Sequence, residues 1–175
     1  MVALQTADII QRAREIKLVL TDCDGVLTDG GVYYGSDGEV MKRFFIPDGM
    51  GVRRLREICG IETGIVTGET SPSVKARAGK LKIVELHLGV SDKLPYFQKL
   101  LERLNLSAHE VAYIGDDVND LEVLEIVGLS GSPGNALEMV RSKVHWVSER
   151  DGGQGAFREF AEMIIAARTD SRISS

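Results

Sequence analysis

The 175-residue sequence predicts an α/β chain built on a doubly wound parallel sheet, with a β-hairpin inserted after the first strand. Three observations carry this reading. Short apolar, β-branched runs such as Leu18-Val19-Leu20 and Val111-Ala112-Tyr113-Ile114 alternate with stretches of helical spacing along most of the chain. The turn sequence Gly35-Ser36-Asp37-Gly38 lies between two strand-like runs rich in Val and Tyr. Acidic and Gly-containing segments recur just after predicted strands, where open α/β sheets bind their ligands.

Taken in order, residues 7–15 carry Ile9, Ile10 and Ala13 at helical spacing, with Thr6 or Asp8 as cap. The first buried strand runs into Thr21-Asp22-Cys23-Asp24-Gly25, where glycine permits a sharp turn. Residues 31–45 form the hairpin. A two-stranded ribbon is marginal alone, and its Val32, Tyr33, Tyr34, Val40 and Phe44 need a surface, on a second subunit or on their own domain. Asp48 is expected to cap a helix reaching Ile58, with Met50, Val52, Leu55 and Ile58 inward and Gly60 as its stop. A strand over 61–66 follows, then a helix opened by Ser71 and Pro72 and ending near Lys80. Beyond these come a strand over 83–88, a helix over 91–104 with Leu94, Phe97, Leu100, Leu101 and Leu104 inward, and a strand over 110–114. The remaining elements are a helix over 118–126, strands over 129–131 and 144–147 enclosing a helix over 135–142, and a helix over 156–167. Residues 1–168 then make one domain, and the polar segment 169–175 a flexible tail.

Composition bounds the function. A 43% hydrophobic chain of this length buries one core. A net charge of −5 supplies no basic surface for a phosphate backbone, so nucleic acid is not an expected partner. Cys23 and Cys59 sit in or beside apolar runs and read as small buried thiols, which suits a reducing cytoplasm. No run approaches the roughly 18 apolar residues of a membrane span, and the first residues lack a signal peptide's basic region and long apolar core. A cytoplasmic protein is the expectation. His87, His109 and His145 are scattered, with no triad or metal spacing, and read as structural.

Asp22 and Asp24, alone, read as residues that cap and turn the chain. Three later stretches, in order and at predicted strand ends, change that reading: Val66-Thr67-Gly68, Ser91-Asp92-Lys93 and Gly115-Asp116-Asp117-Val118-Asn119-Asp120. Carboxylates delivered by separate strands, Asp22, Asp24 and Asp116, suit a hard divalent cation with oxygen ligands, magnesium being the natural choice. Without a cation or a base nearby, such like charges raise one another's pKa. Lys93 offers positive charge to a phosphate and to a nucleophile, Thr67 a hydroxyl, and Gly68 close approach of backbone to phosphate oxygens.

These four motifs resemble those of the haloacid-dehalogenase superfamily of phosphotransferases, across nearly the whole chain. The resemblance implies a Rossmann-like fold and a phosphatase in which Asp22 attacks phosphorus to form an aspartyl-phosphate. Asp24 is then the general acid for the leaving alcohol and the base that activates water. Magnesium is held by the Asp22 carboxylate, the Asp24 backbone carbonyl and Asp116, while Asp117 and Asp120 orient Asp116 or Lys93.

A narrower resemblance covers the hairpin, Asp48-Gly49-x-Gly51, Gly128-Leu129-Ser130 and Gly152-Gly153-x-Gly155-Ala156-x-Arg158-Glu159. These look like the subgroup without a cap domain that contains the 3-deoxy-D-manno-octulosonate (KDO) 8-phosphate phosphatases and the phosphatases of nonulosonate 9-phosphates of the sialic acid and KDN type. The resemblance implies a homotetramer assembled through the hairpins, in which a neighbour helps cover each site. The octulosonate enzymes usually follow Thr-Gly with Arg, whereas this chain has Glu69, a charge reversal that points to a changed substrate handle. Glu69 with Arg77 and Lys80 is similar to the substrate-contacting set of the nonulosonate phosphatases. On the residues alone Arg77 and Lys80, three apart on a helix, read as a solvated stripe, and Arg158 either closes over substrate or decorates its helix. The alternatives are a phosphatase of another small ester and a non-catalytic assembly module of sugar-nucleotide biosynthesis, though assembly alone has no use for Asp22, Asp24, Lys93 and Asp116 together.

Overall fold

The computed structural model describes residues 6–169, so residues 1–5 and all of the predicted tail beyond Thr169 lie outside the described residues. Six parallel strands form one sheet: β1 (Leu18–Thr21), β4 (Glu62–Val66), β5 (Glu85–His87), β6 (Val111–Ile114), β7 (Leu129–Ser132) and β8 (Trp146–Val147). Their spatial order is β5-β4-β1-β6-β7-β8. The chain thus builds outward from β1 on one side and then returns to build on the other. Such a reversal leaves a crevice at the carboxyl ends of the central strands.

Both faces of the sheet are covered, as parallel strands require. On one face lie α1 (Thr6–Glu15), α2 (Ile46–Cys59), α3 (Pro72–Leu81) and α7 (Ala156–Thr169), which enclose Val19, Ile65, Ala112 and Ile114. On the other, α4 (Lys93–Leu104), α5 (Leu121–Leu124) and α6 (Glu138–Arg141) enclose Leu18, Leu20, Val66, Val111 and Tyr113. Successive residues of one strand therefore serve opposite cores, the period of two expected of an extended backbone. The predicted hairpin is present as β2 (Val32–Gly35) and β3 (Gly38–Lys42), a separate two-stranded sheet, and the described residues hold no cap domain.

Several predicted boundaries shift, each for a local reason. The N-cap of α2 is Phe45, not Asp48, because Pro47 starts the helix earlier with its fixed φ. Asp48 is instead turned away from its own helix and accepts hydrogen bonds from the backbone N–H groups of Arg158 and Gly155. Met50 and Ile58 are exposed, and it is Gly51, Val52 and Leu55 that face the core, where Gly51 lets α2 approach α7 at Arg158 and Ala161. The helix expected over 135–142 contracts to α6, since Asn135 accepts from Gly152 N–H and the N–H groups of Ala136 and Leu137 donate to Pro133 and Asp116 carbonyls. The helix expected over 118–126 opens as a 3-10 turn, Val118–Asp120, before α5, and the strand expected over 83–88 shortens to β5. Ser71 caps α3 as expected, accepting from Val74 N–H, and Gly60 ends α2 in the left-handed conformation.

Candidate active site

The cleft lies beyond the carboxyl ends of β1, β4 and β6. It encloses about 270 Å³ and is lined by Asp22, Asp24, Thr67, Gly68, Glu69 and Asp116 with the Asp117–Asn119 turn. Asp22 directly follows β1, and its N–H donates to Ile114 carbonyl at 3.0 Å, which clamps the ends of β1 and β6 together. The chain then closes a tight turn in which Leu27 and Thr28 N–H both donate to Cys23 carbonyl. Gly25 sits in this turn at φ +88°, and a Cβ there would lie 2.0 Å from Asp116 Oδ2. Glycine is needed twice over, for the left-handed backbone and for the approach of Asp116.

Asp22 is buried, with Oδ1 accepting from Cys23 N–H at 2.6 Å and Oδ2 3.1 Å from Lys93 Nζ. Lys93 starts α4 and is itself buried, between Asp22 and Asp120, whose Oδ1 it meets at 2.6 Å. Burial alone would pull the Lys93 ammonium down, but the charges of Asp22 and Asp120 more than offset this and hold it above its ordinary value. Asp120 is saturated: Oδ1 also accepts from Tyr113 hydroxyl, and Oδ2 from the N–H groups of Asp116 and Asp117. It thereby orients both Lys93 and the Asp116 backbone.

Asp116 is different, since its Oδ1 is buried without a hydrogen-bond partner. Oxygens of Asp22, Asp116 and Asp120 lie within 4.8 Å of one another. Burial, then the charge of Asp120, pushes Asp22 up to about 7, and burial followed by Asp22 and Asp120 pushes Asp116 up to about 8. A divalent cation favours the ionised acids and supplies the partner that Asp116 lacks, so these residues fit a magnesium ion. With Asp120 already committed, Asp22 and Asp116 are the carboxylates that suit it.

The Asp24 carboxylate, which lines the same cleft, is held by other partners. Its Oδ2 lies 2.5 Å from Lys42 Nζ and its Oδ1 accepts from Thr28 hydroxyl at 3.2 Å. Burial alone would pull Lys42 down, yet the bond to Asp24 and the charges of Asp24 and Glu39 leave it above its ordinary value and charged. Lys42 and Glu39 were not among the predicted site residues. No local spacing marks them in the sequence, since their partners Asp24 and Ser71 lie 18 and 32 residues away.

Arg77, Lys80 and Arg158 do not line the cleft of their own chain. Arg77 and Lys80 border a separate groove of about 480 Å³ between α2 and α3, with Arg53, Arg56 and Lys82. Arg77 stacks on Phe44, 5.7 Å from the ring centroid, and Arg158 pairs with Glu162 at 2.8 Å. Glu69 is exposed on the cleft wall. Among the histidines, His87 bonds Tyr96 and His145 bonds Ser130, and none lines the cleft.

Residues 61–157 match the family model for haloacid dehalogenase-like hydrolases. The chain is 41% identical over 161 residues to the 3-deoxy-D-manno-octulosonate 8-phosphate phosphatase KdsC of Yersinia pestis, covering 92% of this chain and 86% of that one. Its fold superposes on a probable yrbi family phosphatase from Pseudomonas syringae pv. phaseolica with a TM-score of 0.90 at 41% identity, over 95% of this chain and 94% of the other. A TM-score of 0.88 at 37% identity relates it to the octulosonate phosphatase of Moraxella catarrhalis, covering 92% of each chain; that structure is a complex with magnesium ion, phosphate ion and KDO.

Proposed function

Because the chain belongs to the haloacid dehalogenase-like hydrolases, we propose that it is a magnesium-dependent phosphatase that hydrolyses the phosphate ester of a 2-keto-3-deoxy sugar acid. The observation that carries this is the pairing of a buried, lysine-contacted Asp22 with the unpartnered oxygen of Asp116 in one cleft. The Asp22 carboxylate attacks phosphorus, and the bond from phosphorus to the sugar oxygen breaks. The leaving oxygen takes a proton from Asp24. Asp24, now ionised, removes a proton from water, whose oxygen attacks the aspartyl-phosphate and returns Asp22 with release of inorganic phosphate. Lys93 stabilises charge on Asp22 and on the phosphoryl oxygens, and Thr67 and the Gly68 backbone bind those oxygens. Asp22, Asp116 and the Asp24 carbonyl are the groups that would hold magnesium, which offsets phosphate charge.

The test is Asp22→Asn, assayed for phosphate release from KDO 8-phosphate with magnesium. The variant is expected to fold and assemble normally and to lose activity by about a thousandfold or more. Substantial residual turnover would exclude the covalent route.

Glu69 on the cleft wall favours a second, narrower reading, a nine-carbon rather than an eight-carbon ulosonate. Glu69→Arg is expected to shift the kcat/KM ranking toward the eight-carbon ester, and an unchanged ranking would remove the argument. Arg77, Lys80 and Arg158 meet substrate in this proposal only across a subunit boundary, because none lines the cleft of its own chain. A homotetramer joined through the hairpins, in the cytoplasm, completes the proposal.

A further inference from the structure

The hairpin is joined to the cleft by a chain of partly buried polar contacts centred on a fully enclosed lysine, which the reaction as described does not use. Lys42, the last residue of β3, has a side chain with no exposed surface. Its ammonium lies 2.5 Å from Asp24 Oδ2 and 3.7 Å from Glu39 Oε2. Glu39, also on β3, accepts in turn from the hydroxyl of Ser71, the buried N-cap of α3 that follows the Thr67-Gly68-Glu69 loop. On its other oxygen Asp24 accepts from Thr28, which is fully buried. A buried lysine is costly unless ionised partners surround it, and here both partners hold it in one place.

We propose that Lys42 is a positioning residue for the reaction: delivered by the hairpin and held by Glu39, it fixes the Asp24 carboxylate in the orientation from which Asp24 acts on the leaving group and on water. Lys42 does not line the cleft and its ion pairs are with Asp24 and Glu39, so it acts through Asp24. The geometry has a reason in the shape of the cleft. Asp24 lies within the turn that Gly25 permits and is partly exposed, so its side chain is less confined than that of the buried Asp22. Thr28 fixes one oxygen and Lys42 the other, which defines the plane of the carboxylate. Because Glu39 and Lys42 both come from β3, catalysis depends on the hairpin being seated against the Asp24 turn and the start of α3. The inference rests on the proposed role of Asp24 but not on the identity of the sugar.

The experiment is a double-mutant cycle between Lys42→Met and Asp24→Asn on the assembled, magnesium-loaded protein, using KDO 8-phosphate and p-nitrophenyl phosphate. Lys42→Met is expected to lower kcat about tenfold or more, with KM changed by less than about threefold, and Lys42→Arg to recover part of the loss. In the Asp24→Asn background the same substitution should change kcat by less than about twofold, since its effect runs through Asp24. Equal losses in both backgrounds, an unchanged kcat, or a failure of Lys42→Arg to recover any activity would overturn the assignment. If Lys42→Met alone does not fold, the cycle is run with Glu39→Gln/Lys42→Met, which removes the more enclosed of the two carboxylates facing the missing ammonium, and the same criteria apply. Should the wild type hydrolyse only p-nitrophenyl phosphate, the sugar-acid reading fails while the Lys42 cycle is still decided on that ester.

Discussion

At the scale of single residues, the cleft depends on which oxygens are already satisfied. Asp120 lies as close to the acid pair as a ligand would, yet its oxygens accept from Lys93, Tyr113 and two backbone N–H groups. Asp116 carries the reverse pattern, one buried oxygen without a partner. A third residue, Gly25, makes the arrangement possible, because a methyl group in its place would overlap Asp116 Oδ2. Gly25→Ala is therefore expected to weaken magnesium binding, measured by calorimetry, by about tenfold or more, the range seen when groups that orient a metal ligand are disturbed. An unchanged affinity would mean that Asp116 is not a ligand. These roles were only partly legible. The sequence placed Asp22, Asp24, Thr67, Gly68 and Asp116 at strand ends and so in one cleft, because strand ends converge in a parallel sheet. It did not show Lys42, whose partner lies 18 residues away on a different element.

Among elements, the packing of α2 on α7 holds the glycine-rich segment before α7 against the Asp24 turn. Gly152 lies so close to Gly25 carbonyl that a Cβ would sit 1.7 Å from it, and Gly153 N–H donates to Val26 carbonyl. Asp48 links this contact to α2 through the N–H groups of Gly155 and Arg158, with its second oxygen buried and unpartnered. Burial pushes Asp48 up to about 6 against the lowering effect of those two N–H groups and of Arg77 and Arg158. The folded state then binds the Asp48 proton more tightly than the unfolded chain, whose value is the ordinary 3.8. Stability from this group is greatest below pH 3.8 and is lost as pH rises through 6, by about 3 kcal/mol in all. Asp48→Asn cannot titrate there. Denaturant unfolding at pH 4 and pH 7 should show the variant gaining on the wild type by about 2 kcal/mol as pH rises, and parallel pH profiles would contradict it. Periodicity could not reveal this contact, since Asp48 reads as a helix cap until the start of α7 is seen beside it. The same limit explains the short α6: Asn135, Ala136 and Leu137 spend their hydrogen bonds on residues outside any helix.

For the whole molecule, the described residues place no cap domain over the cleft, and the hairpin stands apart from the main sheet. Tyr33, Tyr34, Val40 and Met41 on that hairpin are 57%, 72%, 65% and 52% exposed, an apolar surface of the kind that subunit contacts cover. If the proposed tetramer forms through this surface, Tyr34→Ser/Val40→Ser lowers the mass measured by sedimentation, and an unaltered mass would contradict that interface. The alternation of strands and helices and the inserted hairpin were both readable from the chain, because binary patterning fixes layer architecture. What sits on the hairpin was not, because an exposed apolar ribbon has the same sequence whichever surface covers it. The central claim concerns one atom pair, an Asp22 oxygen and a phosphorus atom. Its most direct test is to quench the wild type during turnover of its phosphate ester, reduce the trapped acyl phosphate with borohydride and locate the modified residue by mass spectrometry. The account predicts modification at Asp22 and nowhere else; modification of another residue, or phosphate release with none at all, would contradict it.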